Sequence, residues 1–147
     1  MSDELREGEI VASCGVVGSD ATLCFIGRIE TPWQARGGCP HHGDPVAGPL
    51  CRIVLAEGWV PALEGIEAHA KLQVLYWMHE ARRDLVRLAP RGGSLRGPFA
   101  LRAPTRPNPI ASSIVALVER SGGVLTVRGL DCVSGTPLLD LKPWREG

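Results

Sequence analysis

Lysine is scarce in this sequence, where only two lysines accompany 14 arginines among 147 residues. Basic and acidic residues balance at 16 each, so no overall excess of positive charge indicates a nucleic-acid or membrane partner. No apolar run approaches the roughly 18 residues that a transmembrane helix needs, so we expect no membrane span. Residues 1–9 are acidic and polar and show no signal-peptide pattern. A cytoplasmic protein is therefore expected.

Two common site motifs are also absent. The five cysteines, at positions 14, 24, 39, 51 and 132, have no Cys-x-x-Cys spacing, which favours reduced, mostly buried thiols. There is no Gly-x-Gly-x-x-Gly and no strand–helix alternation of about 30 residues, which disfavours a Rossmann-type fold. The run Cys39-Pro40-His41-His42-Gly43-Asp44 suggests zinc. Two consecutive histidines cannot easily both bind one ion with Cys39, so we expect no metal and a loop that lines a pocket.

Glycine and proline, by contrast, are frequent, with 18 and 12 residues that divide the chain into short pieces. Many short apolar, β-branched segments between turns predict an all-β sandwich or barrel in a single domain, 1–147. The short segment 61–70 is the best helix candidate and would be a small helical decoration. Residues 121–123, Ser-Gly-Gly, predict a hairpin. The predicted strands are 10–17, 21–30, 50–56, 72–78, 98–102, 113–119, 124–128 and 137–142.

The most distinctive segment is the proline-rich run 101–110. Three prolines in six residues exclude a helix or a central strand, and they predict a stiff, extended loop. Such a loop would hold Arg102, Arg106 and Asn108 at nearly fixed positions, which lowers the entropy cost of binding a ligand. A simple sheet corner is the alternative.

Charge is unevenly distributed along the chain. Seven arginines and one acid, Asp84, lie between Arg82 and Arg106, a local net charge of +6, whereas residues 1–67 hold ten acids and four arginines. The basic segment favours contact with a polyanion. A solvated face paired with the acidic half explains the pattern equally well.

Two further segments place polar side chains next to apolar strands. His79 and Glu80 follow an apolar strand, a common place for active-site groups, although a satisfied boundary pair is the simpler interpretation. Asp131 and Asp140 flank the turn 134–137, Ser-Gly-Thr-Pro, whose composition by itself indicates only a hairpin.

In their order along the chain, four segments resemble successive blocks of the TrmO (TsaA-like) family. They are IGRIETPW at 26–33, LEGIEAHAKLQVLYWMHEA at 63–81, FALRAPTRPNPIASSIV at 99–115 and VRGLDCVSGTPLLDLKPW at 127–144. The Arg-x-Pro-x-Arg-Pro-Asn-Pro-Ile block is the most specific of these. The Gly-Thr-Pro-x-x-Asp-x-Lys-Pro-aromatic ending supports it.

The resemblance implies a single small β-barrel of about seven strands that works as a homodimer and uses S-adenosylmethionine. It implies methylation of the exocyclic nitrogen of threonylcarbamoyladenosine beside the anticodon of tRNA. Transferred position by position, the cofactor contacts would be Pro40, His41, His42, His79, Glu80, Arg102, Ser112, Gly129, Leu130 and Asp131.

The remaining roles are assigned on that basis. Methyl transfer from a sulfonium is an in-line displacement, which mainly needs donor and acceptor held about 3 to 3.5 Å apart. If the acceptor nitrogen must lose a proton, Glu80, His79 and Asp131 are the candidate bases. Arg102 would pair with the cofactor's carboxylate, and Arg106 with a phosphate or with the substrate's own carboxylate. The RNA-contacting candidates are Arg82, Arg83, Arg91, Arg96, Arg106 and Asn108.

Three positions depart from the family pattern. Pro40-His41-His42 stands where the family has Pro-Arg-Gln, Ser134 where it has Asp, and Ala111 where it has Gly. No C-terminal accessory domain is expected. These departures leave two alternatives: the same cofactor with a small-molecule or protein acceptor, or a non-catalytic module that binds cofactor or RNA.

Overall fold

The computed structural model describes residues 4–12 and 21–146, and this part of the chain contains eight β-strands. The strands are β1 (Ile10–Val11), β2 (Gly27–Glu30), β3 (Cys51–Leu55), β4 (Lys71–Trp77), β5 (Leu85–Arg87), β6 (Ile110–Ser121), β7 (Val124–Arg128) and β8 (Thr136–Pro143). Contacts divide the chain into two compact units. We call Leu23–Trp77 with Ala111–Gly147 the barrel unit, and Met1–Thr22 with Met78–Ile110 the arginine-rich unit. The single-domain expectation stays a prediction.

Six strands of the barrel unit close into a barrel in the order β2-β3-β7-β6-β4-β8. Alternate residues of each strand point inwards, as the two-residue period of a strand requires, and they fill the barrel with side chains. The all-β barrel prediction is confirmed, with six strands in the barrel. The fully buried barrel residues are Ile29, Ile53, Leu72, Val74, Val115, Leu125, Val127 and Leu138.

The predicted hairpin joins β6 to β7. Ser121 pairs with Val124, and Gly122 adopts a φ of 58°, a left-handed conformation that glycine tolerates without a side-chain clash. The predicted strand 124–128 coincides with β7, and most of the other predicted strands overlap an observed one.

The arginine-rich unit contains the small sheet of β1 and β5, continued by a bridge between Leu88 and Arg96. The Glu9 carboxylate accepts hydrogen bonds from the backbone N–H of Ala89, at 3.0 Å, and of Arg6, at 2.9 Å. These two backbone donors hold the pKa of Glu9 below its usual value.

In this region, one predicted strand is absent, one observed strand was not predicted, and a third strand is shorter than predicted over the described residues. The segment 98–102 is not a strand: Pro98–Ala100 form a 3-10 turn, because a proline at the first position of a turn already has the required φ. The strand β5 was not expected, since three residues within an arginine-rich segment give no alternating pattern. The predicted strand 10–17 is observed only as β1; residues 13–17 lie outside the described part of the chain.

The helix predicted at 61–70 is replaced by two 3-10 turns, Glu57–Leu63 and Ile66–Ala68. Pro61 lies inside the first turn, where it cannot donate a backbone hydrogen bond. Gly65 separates the turns with a φ of 89°, which a continuous helix does not permit. Within residues 4–12 and 21–146, no helix is long and apolar enough to cross a bilayer.

Candidate active site

At one end of the barrel, the backbones of two predicted cofactor-binding segments touch. A Cβ atom added to Gly43 would lie only 1.7 Å from the carbonyl oxygen of Gly129. Gly129 itself has a φ of 121°, where L side chains are strained, and a Cβ there would lie 2.9 Å from the oxygen of Ile114. Glycine at both positions therefore lets the loop 40–44 lie directly against the turn 129–131.

Further contacts hold the rest of this loop. Arg128 Nη1 donates to the Gly48 carbonyl at 2.8 Å. The carboxylate of Asp44 accepts from the backbone N–H of Val46 at 2.8 Å and of Ala47 at 2.9 Å. Because these bonds favour the charged form, the pKa of Asp44 lies below its usual 3.8. The Asp44 side chain thus closes a turn over residues 44–47, directly after the loop 40–44.

The Asp44 turn gives a first testable prediction. Because its folded pKa is lowered, the stabilisation by Asp44 is complete above pH 3.8 and is lost as the pH falls through the lower, folded pKa. Asp44→Ala should produce the same loosening at neutral pH, seen as faster amide hydrogen exchange at Val46 and Ala47. Asp44→Asn keeps an acceptor oxygen and should exchange at a rate closer to the wild type. Equal exchange in all three proteins would contradict the assignment.

The side chains of this loop that the resemblance assigned to the cofactor are all exposed. Pro40, His41 and His42 are exposed, whereas Leu130 is 1% exposed. The Leu130 side chain therefore belongs to the core, and only its backbone is available to a ligand. The half-buried Cys39 directs its sulfur to the carbonyl of Ala35 at 3.7 Å.

Asp131 is the charged side chain of the turn 129–131, and it is bound from inside the barrel. Tyr76 on β4 is 2% exposed, and its hydroxyl donates to Asp131 Oδ1 at 2.8 Å. The Ser113 hydroxyl lies 2.7 Å from the same phenol oxygen. The preceding residue on β6, Ser112, accepts a hydrogen bond from Gln73 Nε2 at 3.0 Å. Neither Tyr76 nor Ser113 was predicted from the sequence as a site residue.

Ser134, which departs from the family pattern, has a defined backbone role. Its hydroxyl accepts from the N–H of Thr31 at 3.2 Å, and its own N–H donates to the carbonyl of Trp33 at 2.7 Å. The Thr31 hydroxyl in turn donates to the Cys132 carbonyl at 2.7 Å. Ser134 therefore ties the chain after β2 to the turn before β8.

Two buried cysteines lie in the barrel unit and are poor nucleophiles. Burial raises the pKa of Cys51 and raises that of Cys132 to about 12, so both remain protonated thiols at neutral pH. No group of three or more possible metal ligands occurs within the described ranges 4–12 and 21–146. Cys14 lies outside those ranges.

In the arginine-rich unit, Arg106 clamps its own loop. Its Nη1 lies 2.9 Å from the carbonyl oxygen of Pro98, 2.8 Å from that of Leu101 and 3.2 Å from that of Ala103. The guanidinium carbon lies 5.9 Å from the ring centroid of Phe99. The Arg106 guanidinium thus contacts backbone carbonyls, whereas the sequence predicted contact with a phosphate or a substrate carboxylate.

Other predicted RNA contacts divide into anchored and unanchored arginines. Arg82 forms a two-pronged ion pair with Asp84 at 2.7 and 2.8 Å, and Arg83 Nε donates to the Pro107 carbonyl at 2.8 Å. Arg91 and Arg96 are exposed, and across the described residues neither side chain has a hydrogen-bond or ion-pair partner. Arg91 and Arg96 are therefore better placed than Arg82 and Arg83 to bind an external anion.

The other predicted residues of this unit lie on its surface. His79 and Glu80 are exposed in the turn that follows β4, where the Ala81 N–H donates to the Met78 carbonyl at 3.0 Å. Arg102 and Asn108 are exposed on the proline-rich loop. The roles assigned to these four side chains stay predictions.

A closed six-stranded antiparallel barrel, with two closely packed glycines and a half-buried carboxylate at one end, is not a Rossmann fold. The family model of the tRNA-methyltransferase O N-terminal domain matches residues 28–147. The chain belongs to this family, the TrmO family of S-adenosylmethionine-dependent methyltransferases. The predicted family, enzyme class and cofactor are confirmed.

Individual relatives agree with this assignment. A probable S-adenosyl-L-methionine-binding protein, VirR, from Rhizobium radiobacter is 49% identical over 145 residues, which cover 98% of this chain and 82% of that protein. The tRNA (adenine(37)-N6)-methyltransferase of Escherichia coli K12 is 33% identical over 81% of this chain. A crystal structure of TrmO from Pseudomonas aeruginosa superposes with a TM-score of 0.69 at 31% identity and covers 86% of this chain. This chain spans just over half the length of the last two proteins, 55% and 57%.

Two features of this barrel end are compatible with S-adenosylmethionine as a ligand. A half-buried carboxylate, Asp131, can accept hydrogen bonds from a ribose diol or an ammonium group. Close backbone packing at Gly43 and Gly129 gives this end a fixed shape, and fixed shape lowers the entropy cost of binding.

Proposed function

We propose that this chain methylates the exocyclic nitrogen of threonylcarbamoyladenosine next to the tRNA anticodon. Its membership of the TrmO family is the observation that carries the proposal, together with its 33% identity to an enzyme named as a tRNA (adenine(37)-N6)-methyltransferase. The exposed, unpartnered arginines Arg91 and Arg96 support an RNA acceptor, because exposed guanidinium groups bind phosphates.

When bound, S-adenosylmethionine supplies an electrophilic methyl group on its sulfonium sulfur. In the proposed site, the loop 40–44 and the turn 129–131 bind the cofactor, with Asp131 accepting hydrogen bonds from it. Ser112 remains a predicted contact, although its hydroxyl accepts from Gln73. Most of the rate enhancement would come from holding the reacting groups in line, which can contribute about 7–11 kcal/mol. Arg102 is proposed to bind a carboxylate, and His79, Glu80 and Asp131 remain the candidate bases.

The acceptor is tested with labelled S-adenosylmethionine and tRNA from a strain that lacks this methylation. Label should enter tRNA that contains the threonylcarbamoyl group and should not enter matched tRNA without it, since the proposed acceptor nitrogen carries that group. Clear cofactor binding without transfer to any cellular RNA would exclude the tRNA acceptor.

The two unpartnered arginines give the corresponding binding prediction. Each phosphate contact contributes about −0.9 to the slope of log affinity against log salt on duplex and about −0.7 on single strands. Arg91→Ala with Arg96→Ala should therefore weaken tRNA binding and make its salt slope less steep by about 1.4 to 1.8. Arg145→Ala, a matched exposed arginine in the barrel unit, should leave the slope unchanged. An unchanged slope in the double variant would remove these residues from the interface.

A different acceptor is the second candidate. The Rhizobium radiobacter relative covers 98% of this chain at 49% identity and is named for cofactor binding alone. A small-molecule or protein acceptor fits that relative as well. With such an acceptor, Arg91 and Arg96 can be replaced without loss of turnover. Any multiple-turnover methylation excludes the non-catalytic binding module that the sequence left open. The homodimer stays a prediction, which sedimentation measurements can test.

A further inference from the structure

The hydrogen-bonded row of Ser113, Tyr76 and Asp131 has a direction. Asp131 Oδ1 accepts the Tyr76 O–H at 2.8 Å, so the phenol has no proton left for Ser113. The Ser113 hydroxyl, 2.7 Å from the phenol oxygen, must then donate to it. The result is a one-way row in which Ser113 donates to Tyr76 and Tyr76 donates to Asp131.

Packing holds the middle of this row in one place. Tyr76 is 2% exposed and occupies the last inward position of β4, after Leu72 and Val74. Opposite it, the pairing of β4 with β8 shifts between Leu75 and Tyr76, so that Leu139 has no partner in the register. Such bulges change the direction of nearby side chains and often lie next to active sites.

The phenol is also suited to remain a donor. Burial, and then the charge of Asp131, raise the pKa of Tyr76 far above its usual range. Tyr76 therefore stays protonated at neutral pH and keeps the proton that it donates to Asp131 Oδ1.

The other carboxylate oxygen faces a different situation. Asp131 is half-buried, and across the part of the chain that the structure describes no donor reaches its Oδ2. A carboxylate with one oxygen fixed from inside can turn its other oxygen only in a restricted direction. Oδ2 is therefore held in position to accept a hydrogen bond from a bound ligand.

We propose that Tyr76, supported by Ser113, is a positioning residue that fixes Asp131 so that Oδ2 accepts a hydrogen bond from S-adenosylmethionine. The inference rests on the proposed role of Asp131 as a cofactor contact. It adds that the cofactor affinity depends on a buried phenol that does not itself touch the cofactor.

Tyr76→Phe tests this directly, because it removes one oxygen and keeps the ring that fills the barrel. A hydrogen bond to a charged group is worth enough that the Kd for S-adenosylmethionine should rise by about tenfold. With saturating cofactor, kcat on the methyl acceptor should stay within about twofold, since Asp131 in this role binds the cofactor and takes no proton. A large fall in kcat would overturn the proposal. Ser113→Ala should give a smaller rise in Kd.

A double-mutant cycle separates positioning from a general structural effect. If Tyr76 acts only through Asp131, Tyr76→Phe should have little further effect on the Kd in the Asp131→Ala background. Additive effects of the two substitutions would overturn the proposal, as would an unchanged Kd in Tyr76→Phe or in Asp131→Ala.

A spectroscopic test uses the protein without cofactor. A buried phenol proton donated to a carboxylate should give a slowly exchanging, downfield proton resonance. This resonance should vanish in Tyr76→Phe and shift in Asp131→Asn. Its absence from the wild type overturns the proposal.

The proposed acceptor and this inference can fail separately. If the Kd values behave as the double-mutant cycle predicts but the protein methylates no tRNA, the proposed acceptor is refuted and this inference stands. A wild-type protein that binds no S-adenosylmethionine would refute both.

Discussion

Replacing Gly43 with alanine is expected to weaken S-adenosylmethionine binding by about tenfold or more, because forcing a methyl group into a packed contact costs about 1–3 kcal/mol, and 1.4 kcal/mol is tenfold in affinity. The new Cβ would lie 1.7 Å from the Gly129 carbonyl oxygen, whereas real Cβ atoms stay at least 3.0 Å from such atoms. No side-chain rotation can relieve this overlap, since backbone lies on both sides. The loop 40–44 and the turn 129–131 must therefore move apart. Calorimetric titration with S-adenosylmethionine measures the loss.

Gly37→Ala is the matched control for this change. It adds the same methyl group to the same loop region, where the new Cβ meets nothing within 4 Å. The Gly37 variant should bind the cofactor as the wild type does and should unfold at the same temperature. If the two variants bind equally, the contact between the two segments has no part in cofactor binding. Circular dichroism of the Gly43 variant shows whether the barrel itself is preserved.

How well the fold could be predicted depended on whether the relevant signal was local. The strand 124–128 was predicted with its observed bounds, because alternating apolar residues follow a Gly-Gly turn. At 98–102 the same kind of apolar pattern was misleading. There the proline at the start determines the backbone, and a 3-10 turn forms instead.

Site residues could be predicted only where the chemistry appears in a short motif. Asp131 lies in the segment 127–144, which resembles a family motif, so it could be predicted as a site residue. Its partner Tyr76 is 55 residues away in the sequence, and Ser113 is 37 residues from Tyr76. A tyrosine in an alternating strand looks like an ordinary core residue, and only the closed barrel brings its hydroxyl to the carboxylate.

Arg106 illustrates a different limit, because its observed partners are backbone carbonyls. Every residue has such a carbonyl, so no sequence pattern marks the ones that a guanidinium will meet. The sequence excluded a helix or a central strand from the proline-rich loop, and residues 101–109 form neither. It gave no sign that one of the two arginines in that loop holds the loop together from within.

Arg106→Ala is therefore expected to release the proline-rich loop. It removes the donor that lies 2.8 to 3.2 Å from the carbonyls of Leu101 and Ala103, the two residues on either side of Arg102. Loss of a partly buried, charged donor that serves several carbonyls should cost about 2 kcal/mol of stability. The backbone around Arg102 should then become mobile, and turnover should fall by about a hundredfold if Arg102 needs a fixed position.

Two controls separate this clamp from a direct phosphate contact by Arg106. Arg96→Ala removes the same charge from an exposed side chain in the same unit, so it should change the salt dependence of tRNA binding and leave thermal unfolding unaltered. Arg106→Ala should do the reverse: it should lower the unfolding temperature and speed amide exchange at Leu101 and Ala103, with little change in salt slope. A reduced salt slope with normal stability would instead make Arg106 a phosphate contact. Because a backbone clamp acts before any RNA is bound, the stability and exchange measurements on the unliganded protein decide between the two roles.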